Sequence, residues 1–266
     1  MITITAFKWV PPFAQGQVRD HRVRWVLNEV GWPYKVRLLD AEDQQSAGYR
    51  LEQPFGQVPI MAEDGRPTLF ETGAIVLDVA MRAGKLLPVD ADQRSLMLSW
   101  YFAALNSVEP LLMNLALIEF FTADEVERAK RRPAARDMVE KRLADLERGL
   151  GEREWLVGNQ FTVADLMTSS VLKIAKSLDI LGGFRGLSAY QERCFDRSGY
   201  QKAIADQCAV FAQHSAKDMR YDSTMRDRQL IRGRISSGEQ VHDVRQLQGG
   251  PLRCDPPDRL HPDRIR

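Results

Sequence analysis

A chain of 266 residues, 44% apolar and 27% charged, has the make-up of an ordinary globular protein and is long enough for one large or two modest domains. A net charge of +1 makes neither nucleic acid nor an anionic membrane the expected partner. Residues 1–8 are too short and polar for a signal peptide, and no apolar run reaches the roughly 18 residues of a membrane helix. Three cysteines, Cys194, Cys208 and Cys254, show no metal-ligand or CxxC spacing. They read as lone thiols in a reducing cytoplasm, and no metal is expected.

Residues 2–7 form a short β-rich run. Residues 9–16, with two prolines and a glycine, make a loop. A helix is predicted over 19–30, where Val23, Val26, Leu27 and Val30 give i, i+3, i+4, i+7 spacing. Gly31 stops it and Pro33 follows. A second strand is predicted over 34–39, so the chain opens β-loop-α-β, a parallel pair with a crossover helix. The polar segment 41–54 reads as short helix plus loop.

Residues 56–76 read GQVPIMAEDGRPTLFETGAIV. Val58-Pro59 opens a short strand over 60–62, Glu63-Asp64-Gly65 turns it, and a second strand over 68–70 ends at Glu71-Thr72-Gly73. A helix then begins with Ala74, Ile75 and Val79, so the unit is a hairpin feeding a helix. If the Val58-Pro59 bond is cis, the Val58 main chain faces out, open to another extended chain. A helix start offers free N–H groups and a partial positive charge suited to a carboxylate. Thr72 adds a hydroxyl and Glu71 a partner for an ammonium, together a site for a small peptide. The same residues serve equally as a plain hairpin followed by a helix start.

Residues 86–91 read as a linker, and beyond them every strong signal is helical. Residues 92–121 are apolar nearly all round, which predicts a buried helix bent by Pro110. Residues 122–125 look like a capping start for a further helix whose apolar side carries Met138, Leu143, Leu146 and Leu150. Phe161-Thr162-Val163-Ala164-Asp165-Leu166 is a capping box with a hydrophobic staple, and it predicts a helix from Val163 to about Leu178. Thr162 and Asp165 are therefore structural residues. Helical spacing continues over 187–211. Residues 216–266 carry one aromatic, Tyr221, with ten arginines and eight acids, and read as a disordered tail.

On the Val58-Pro59 and Glu71-Thr72 motifs, the element order and the capping box at 161–166, the chain resembles the cytosolic glutathione transferases over about residues 1–215. The resemblance implies an α/β thioredoxin-like domain (βαβ-ββα) over 1–85, a linker over 86–91 and an all-helical domain over 92–215. It implies that Val58, after a cis Pro59, pairs with the cysteinyl backbone of glutathione. Glu71 and Thr72 then hold the γ-glutamyl end, and Gln57 is a further polar contact. The family pattern has Ser where Thr72 stands, which keeps the hydroxyl. It further implies a homodimer with a detoxifying role that uses the glutathione thiol on a small hydrophobic electrophile, in conjugation, reduction or isomerisation. Trp9, Phe13, Gln17, Trp100, Tyr101, Asn106 and Met113 are the candidates to line that second site.

One departure from the family is plain. Its members activate the thiol with a Tyr, Ser or Cys near the first helix, and residues 1–33 contain none of these. Arg19 is the remaining candidate, as a cation beside the thiolate, and is equally a solvated helix-start arginine. His21 reads as a surface histidine. A non-catalytic module of the same fold, binding another protein, is the alternative the missing hydroxyl favours and the Glu71-Thr72 pair disfavours.

Overall fold

The computed structural model describes residues 1–219. A three-stranded sheet has the order β2-β1-β3, with β1 spanning Ile2–Phe7, β2 Tyr34–Leu39 and β3 Met61–Glu63. β1 and β2 run parallel from Ile2 opposite Tyr34 to Phe7 opposite Leu39, and β3 lies antiparallel on β1 with Met61 opposite Ile4. The crossover helix α1, Asp20–Val30, ends where Gly31 enters the left-handed region at φ 80° and returns its N–H to Leu27 and Asn28. Two short helices, α2 (Ala41–Gln45) and α3 (Ala47–Glu52), follow, and α4, Thr72–Ala83, completes this half. The expected strand over 68–70 is only a single bridge, Met61 to Leu69. Pro67 has no N–H to donate, and Glu71 at φ 66° turns the chain away after Phe70, so no ladder extends.

The helical half contains α5 (Ala91–Ala103), α6 (Glu109–Phe121), α7 (Glu125–Leu150), α8 (Val163–Ser177), α9 (Arg185–Phe195) and α10 (Ser198–Ala212). The bend expected at Pro110 takes the form of one π turn, Ala104–Val108, joining α5 to α6. Pro110 cannot bond back one turn, so the ladder widens, and Arg142 of α7 donates to Ser107 O at 3.0 Å. The path Ala91–Phe121 is long and apolar enough to cross a membrane by length and composition, which corrects the residue-by-residue reading. It is also less buried than expected: Leu96, Phe102, Leu117, Phe120 and Phe121 are exposed. At the next helix the cap is Asp124, not Thr122, and Met138 is 52% exposed. The buried side of α7 carries Ala135, Val139, Leu143, Leu146 and Leu150, and the helix continues through Pro133. The helical run 187–211 breaks in two at Asp196 and Arg197.

The capping box forms as a buried hub. Asp165 accepts from Thr162 N–H (2.8 Å), Thr162 Oγ1 (2.9 Å), Leu156 N–H (2.9 Å) and the Tyr190 hydroxyl (3.0 Å). One apolar core runs through both halves, and α1 is its hinge. Trp25 packs on Phe161, Phe195 and Tyr200 and bonds to Glu29, which Arg197 grips with two hydrogen bonds.

Buried polar groups also tie the loop before α1 to the helical half. Lys173 of α8 is buried and donates to Gly16 O and, at 3.1 Å, to the Tyr200 hydroxyl. Burial, helped by the nearby Arg22 cation, brings its pKa down to about 7. His21 is buried rather than on the surface, with Nδ1 on Val18 O at 2.8 Å. Burial first, then Lys173 and Arg22, hold its pKa well below the usual value, so it is neutral at pH 7. Of the described cysteines, Cys194 is free and buried, and the reading of Cys254 as a lone thiol lies outside the described residues. Ala216–Asp218 form one 3₁₀ turn and Met219 is buried, so the tail begins later than expected. The expectation of disorder for residues 220–266 lies outside the described residues.

Two outcomes follow from these buried groups. Asp165→Ala strands two backbone N–H groups and two hydroxyls, so it should cost roughly 3 kcal/mol or more. Chemical denaturation measures this, and a loss well under 1 kcal/mol would contradict the hub. Lys173 has a folded pKa below its unfolded value of about 10.4. The unfolded chain therefore holds the extra proton between about pH 7 and pH 10, and the stability of the parent should rise with pH there. Relative to Lys173→Met, the parent should gain up to about 1.4 kcal/mol per pH unit across that window. Equal pH slopes for the two proteins would show that Lys173 keeps an ordinary pKa.

Candidate functional site

A cleft of about 530 Å³ opens between the start of α4, the start of α1 and the bend between α5 and α6. The first half contributes Arg19, Arg22, Gln53, Gln57, Val58, Pro59, Glu71, Thr72 and Gly73. The helical half contributes Tyr101, Phe102, Leu105, Asn106 and Glu109. Among the described residues no group of three or more His, Cys, Asp or Glu is arranged to hold a metal ion.

The floor is built from local backbone features. The Val58–Pro59 bond is cis, and neither the N–H nor the C=O of Val58 has a partner among the described residues. Gln57 is anchored through its carbonyl, which accepts from the Tyr49 hydroxyl at 2.6 Å. Glu71 holds φ 66° and ψ 117°, an unusual conformation for a residue with a side chain. Its carboxylate is exposed and engages no partner among the described residues. Thr72 follows as the first residue of α4, buried, with no side chain capping the helix ahead of it. The first N–H groups of α4 thus meet the cleft without an internal acceptor.

Gly73 is required by close approach. A Cβ there would stand 2.8 Å from Leu105 Cδ1, so any side chain at this position would force Leu105 to shift. Tyr101 of α5 donates its hydroxyl to Gly73 O. Burial raises the Tyr101 pKa, with Arg22 opposing in part, so this hydroxyl is a neutral, committed donor.

The charged wall is a trio. Arg19 donates Nε and Nη2 to Glu109 Oε1 at 3.0 and 2.8 Å. Arg22 donates Nη2 to the same oxygen at 3.0 Å and Nη1 to Oε2 at 3.3 Å. Arg22 Nη1 also lies 3.5 Å from Thr72 Oγ1, which links the wall to α4. Burial alone would raise the Glu109 pKa, but Arg22 and Arg19 outweigh it and the carboxyl is held below the ordinary value, ionised.

Of the residues expected at the peptide site, Gln57, Val58, Pro59, Glu71 and Thr72 all line this one cleft, together with Arg19. Of the second-site candidates, Tyr101 and Asn106 line it, whereas Trp9, Phe13, Gln17, Trp100 and Met113 do not. Phe13 is exposed and meets Phe121 edge-on at 6.2 Å. Trp100 turns the other way, so close to Gly149 of α7 that no Cβ would fit between them. Arg22 and Glu109 were missed. Arg22 sits beside an apolar stripe, and Glu109 precedes a proline in an apolar run, so neither carries a local signal.

Family models match the chain twice: "Glutathione S-transferase, N-terminal domain" over residues 13–80 and "Glutathione S-transferase, C-terminal domain" over residues 108–198. A curated relative, glutathione S-transferase GstA of Escherichia coli O157:H7, is 28% identical over 64% of this chain and 81% of its own length. A solved glutathione transferase from Pseudomonas putida, with glutathione disulfide bound, superposes with TM-score 0.66 at 21% identity, covering 76% of this chain and 90% of that one. The nitrogen regulation fragment of the yeast prion protein Ure2p superposes with TM-score 0.64 at 22% identity, over 76% and 95%. At such identities the two structures establish a shared fold.

Proposed function

We infer function from one premise: the chain belongs to the glutathione S-transferase family. On that premise the cleft is a glutathione site, and the protein uses the glutathione thiol on a small electrophile. The observation that carries this reading is that the Val58 main chain and the Glu71 carboxylate, both without a partner among the described residues, share one cleft with the Thr72 hydroxyl at an uncapped helix start. An extended tripeptide fits those groups. Its cysteinyl N–H and C=O pair with Val58, its γ-glutamyl carboxylate takes Thr72 and the α4 N–H groups, and its ammonium takes Glu71. Gln57 stands beside them.

In conjugation the thiol loses its proton and the thiolate sulfur attacks an electrophilic carbon. A C–S bond forms as the leaving group departs with its electron pair. The cleft residues with a side-chain hydroxyl are Thr72 and Tyr101, and Tyr101 is committed to Gly73 O. Thiolate stabilisation therefore falls to the Arg19–Arg22 pair. Reduction of a disulfide is the second chemistry the site supports, as glutathione disulfide is the ligand in the Pseudomonas putida structure. The second substrate lies against Ala74, Leu77, Phe102 and Leu105, the apolar side of the cleft.

The domains belong to the same proposal, at 1–85 and 92–215, as do a cytoplasmic setting and a homodimer. The exposed apolar face of α5 and α6 supports a second copy as neighbour. A non-catalytic binding module is the second reading, favoured by the absence of a Ser, Tyr or Cys before residue 34.

Thr72→Ala should weaken glutathione binding by roughly 1–3 kcal/mol, the scale of a hydrogen bond to a charged group. Glu71→Gln should also weaken it through the lost ammonium partner. Calorimetry measures both, and unchanged affinity in the two variants would remove the site assignment. A turnover assay spanning aryl halides and disulfides separates the readings: binding without turnover of any of them leaves the module.

A further inference from the structure

One carboxylate faces two guanidinium groups in the cleft wall, and the trio carries one net positive charge. The two arginines are not equivalent. The Arg22 side chain is 3% exposed and also reaches Thr72 Oγ1. The Arg19 side chain is 41% exposed, and its hydrogen bonds among the described residues all go to Glu109. Arg19 stands just before α1 and Arg22 in its first turn, so the two cations are close and repel one another. What holds them together is a residue from the far half of the chain, placed one step beyond the π turn.

We propose that Glu109 is a positioning residue that fixes Arg19 and Arg22 beside the ligand thiol and limits the charge they present to one unit. The proposal rests on the reading that this cleft holds glutathione. With Glu109 ionised, one cation is cancelled and the other is left to stabilise a thiolate. Arg19, the exposed member, is the one an incoming anion can draw away, while Arg22 stays pinned between Glu109 and Thr72. The remaining groups around the trio leave this balance in place. Glu71, just before α4, is exposed and lies on the ammonium side of the cleft. Tyr101 of α5 is bonded to Gly73 O. Behind Arg22, His21 of α1 is buried and neutral, Asp20 is engaged by Arg24 and Gln207, and Lys173 of α8 is tied to Gly16 O and Tyr200.

A charge-limiting role and a merely structural one differ in sign. Removing the carboxylate frees a cation, whereas removing Arg19 leaves Glu109 to neutralise Arg22. The apparent pKa of the bound glutathione thiol, read by ultraviolet titration, should fall by roughly one unit in Glu109→Gln and rise by about as much in Arg19→Gln. Affinity for S-methylglutathione, which has no thiol to ionise, should stay within about threefold of the parent in Arg19→Gln. Shifts in the same direction, or no shift while glutathione still binds, would overturn the proposal and leave the glutathione site standing. Failure of the parent to bind glutathione would remove both. Should Glu109→Gln not fold, Arg19→Gln decides alone, since its side chain is partly exposed: an unchanged or lowered thiol pKa there overturns the role.

Discussion

Helix α1 buries a run of charged and polar side chains, and each needs a counter-charge or a hydrogen-bond partner. Asp20, His21, Arg22 and Arg24 are all nearly inaccessible. An unpaired buried charge costs several kcal/mol, far more than one helix turn supplies. Arg24 is met within the helix by Asp20 at 2.7 Å. Arg22 and Asp20 take partners from the helical half, Glu109 and Gln207, while His21 bonds to Val18 O just ahead of the helix, in the loop that Lys173 holds through Gly16. The first helix is thus stable only when both halves are docked, and the docking builds the cleft.

The same dependence shapes the other wall. The start of α4 lies within van der Waals reach of the bend between α5 and α6, because Gly73 has no side chain to keep Leu105 away. Tyr101 closes that contact with a hydrogen bond to Gly73 O. Glu71 is held at positive φ just ahead of it, a conformation that persists where the surrounding structure determines it. Its consequence is geometric: the carboxylate stays on the cleft rim, and the chain turns sharply enough that Thr72 begins the helix.

On the proposed reading of the cleft as a glutathione site, thiol chemistry there has few donors to draw on. Lowering a thiol from about pH 8.5 by two units takes about 2.7 kcal/mol. A helix terminus supplies about 0.3–1 kcal/mol, and a hydroxyl donor to the thiolate about 1.5–3. With Tyr101 engaged elsewhere and no Ser, Tyr or Cys before residue 34, the second contribution is missing. The Arg19–Arg22 pair is the remaining source of positive potential, and Glu109 halves it. Such a balance suits a substrate that reacts with a modestly acidified thiol better than one that needs a full thiolate.

Local physics made much of the chain legible from its residues. The strands at 2–7 and 34–39 and the helix between them have the expected bounds within one residue, because apolar spacing and a left-handed glycine act over a single turn. The capping box at Thr162 and Asp165 is likewise a matter of neighbours three residues apart. Glu71 and Thr72 could be singled out because a helix start announces itself in sequence. Tertiary structure decided what depended on distant partners. Arg22 and Glu109 are 87 residues apart, and neither has an opposite charge three or four residues away, where a helix would bring it close. His21 on α1 has the local pattern of a surface residue and is buried only because α1 is enclosed by the second half. Trp9, Phe13, Trp100 and Met113 were plausible wall residues by type. Their exclusion from the cleft follows from the rotation of each helix and the path of one loop, which composition and spacing do not encode.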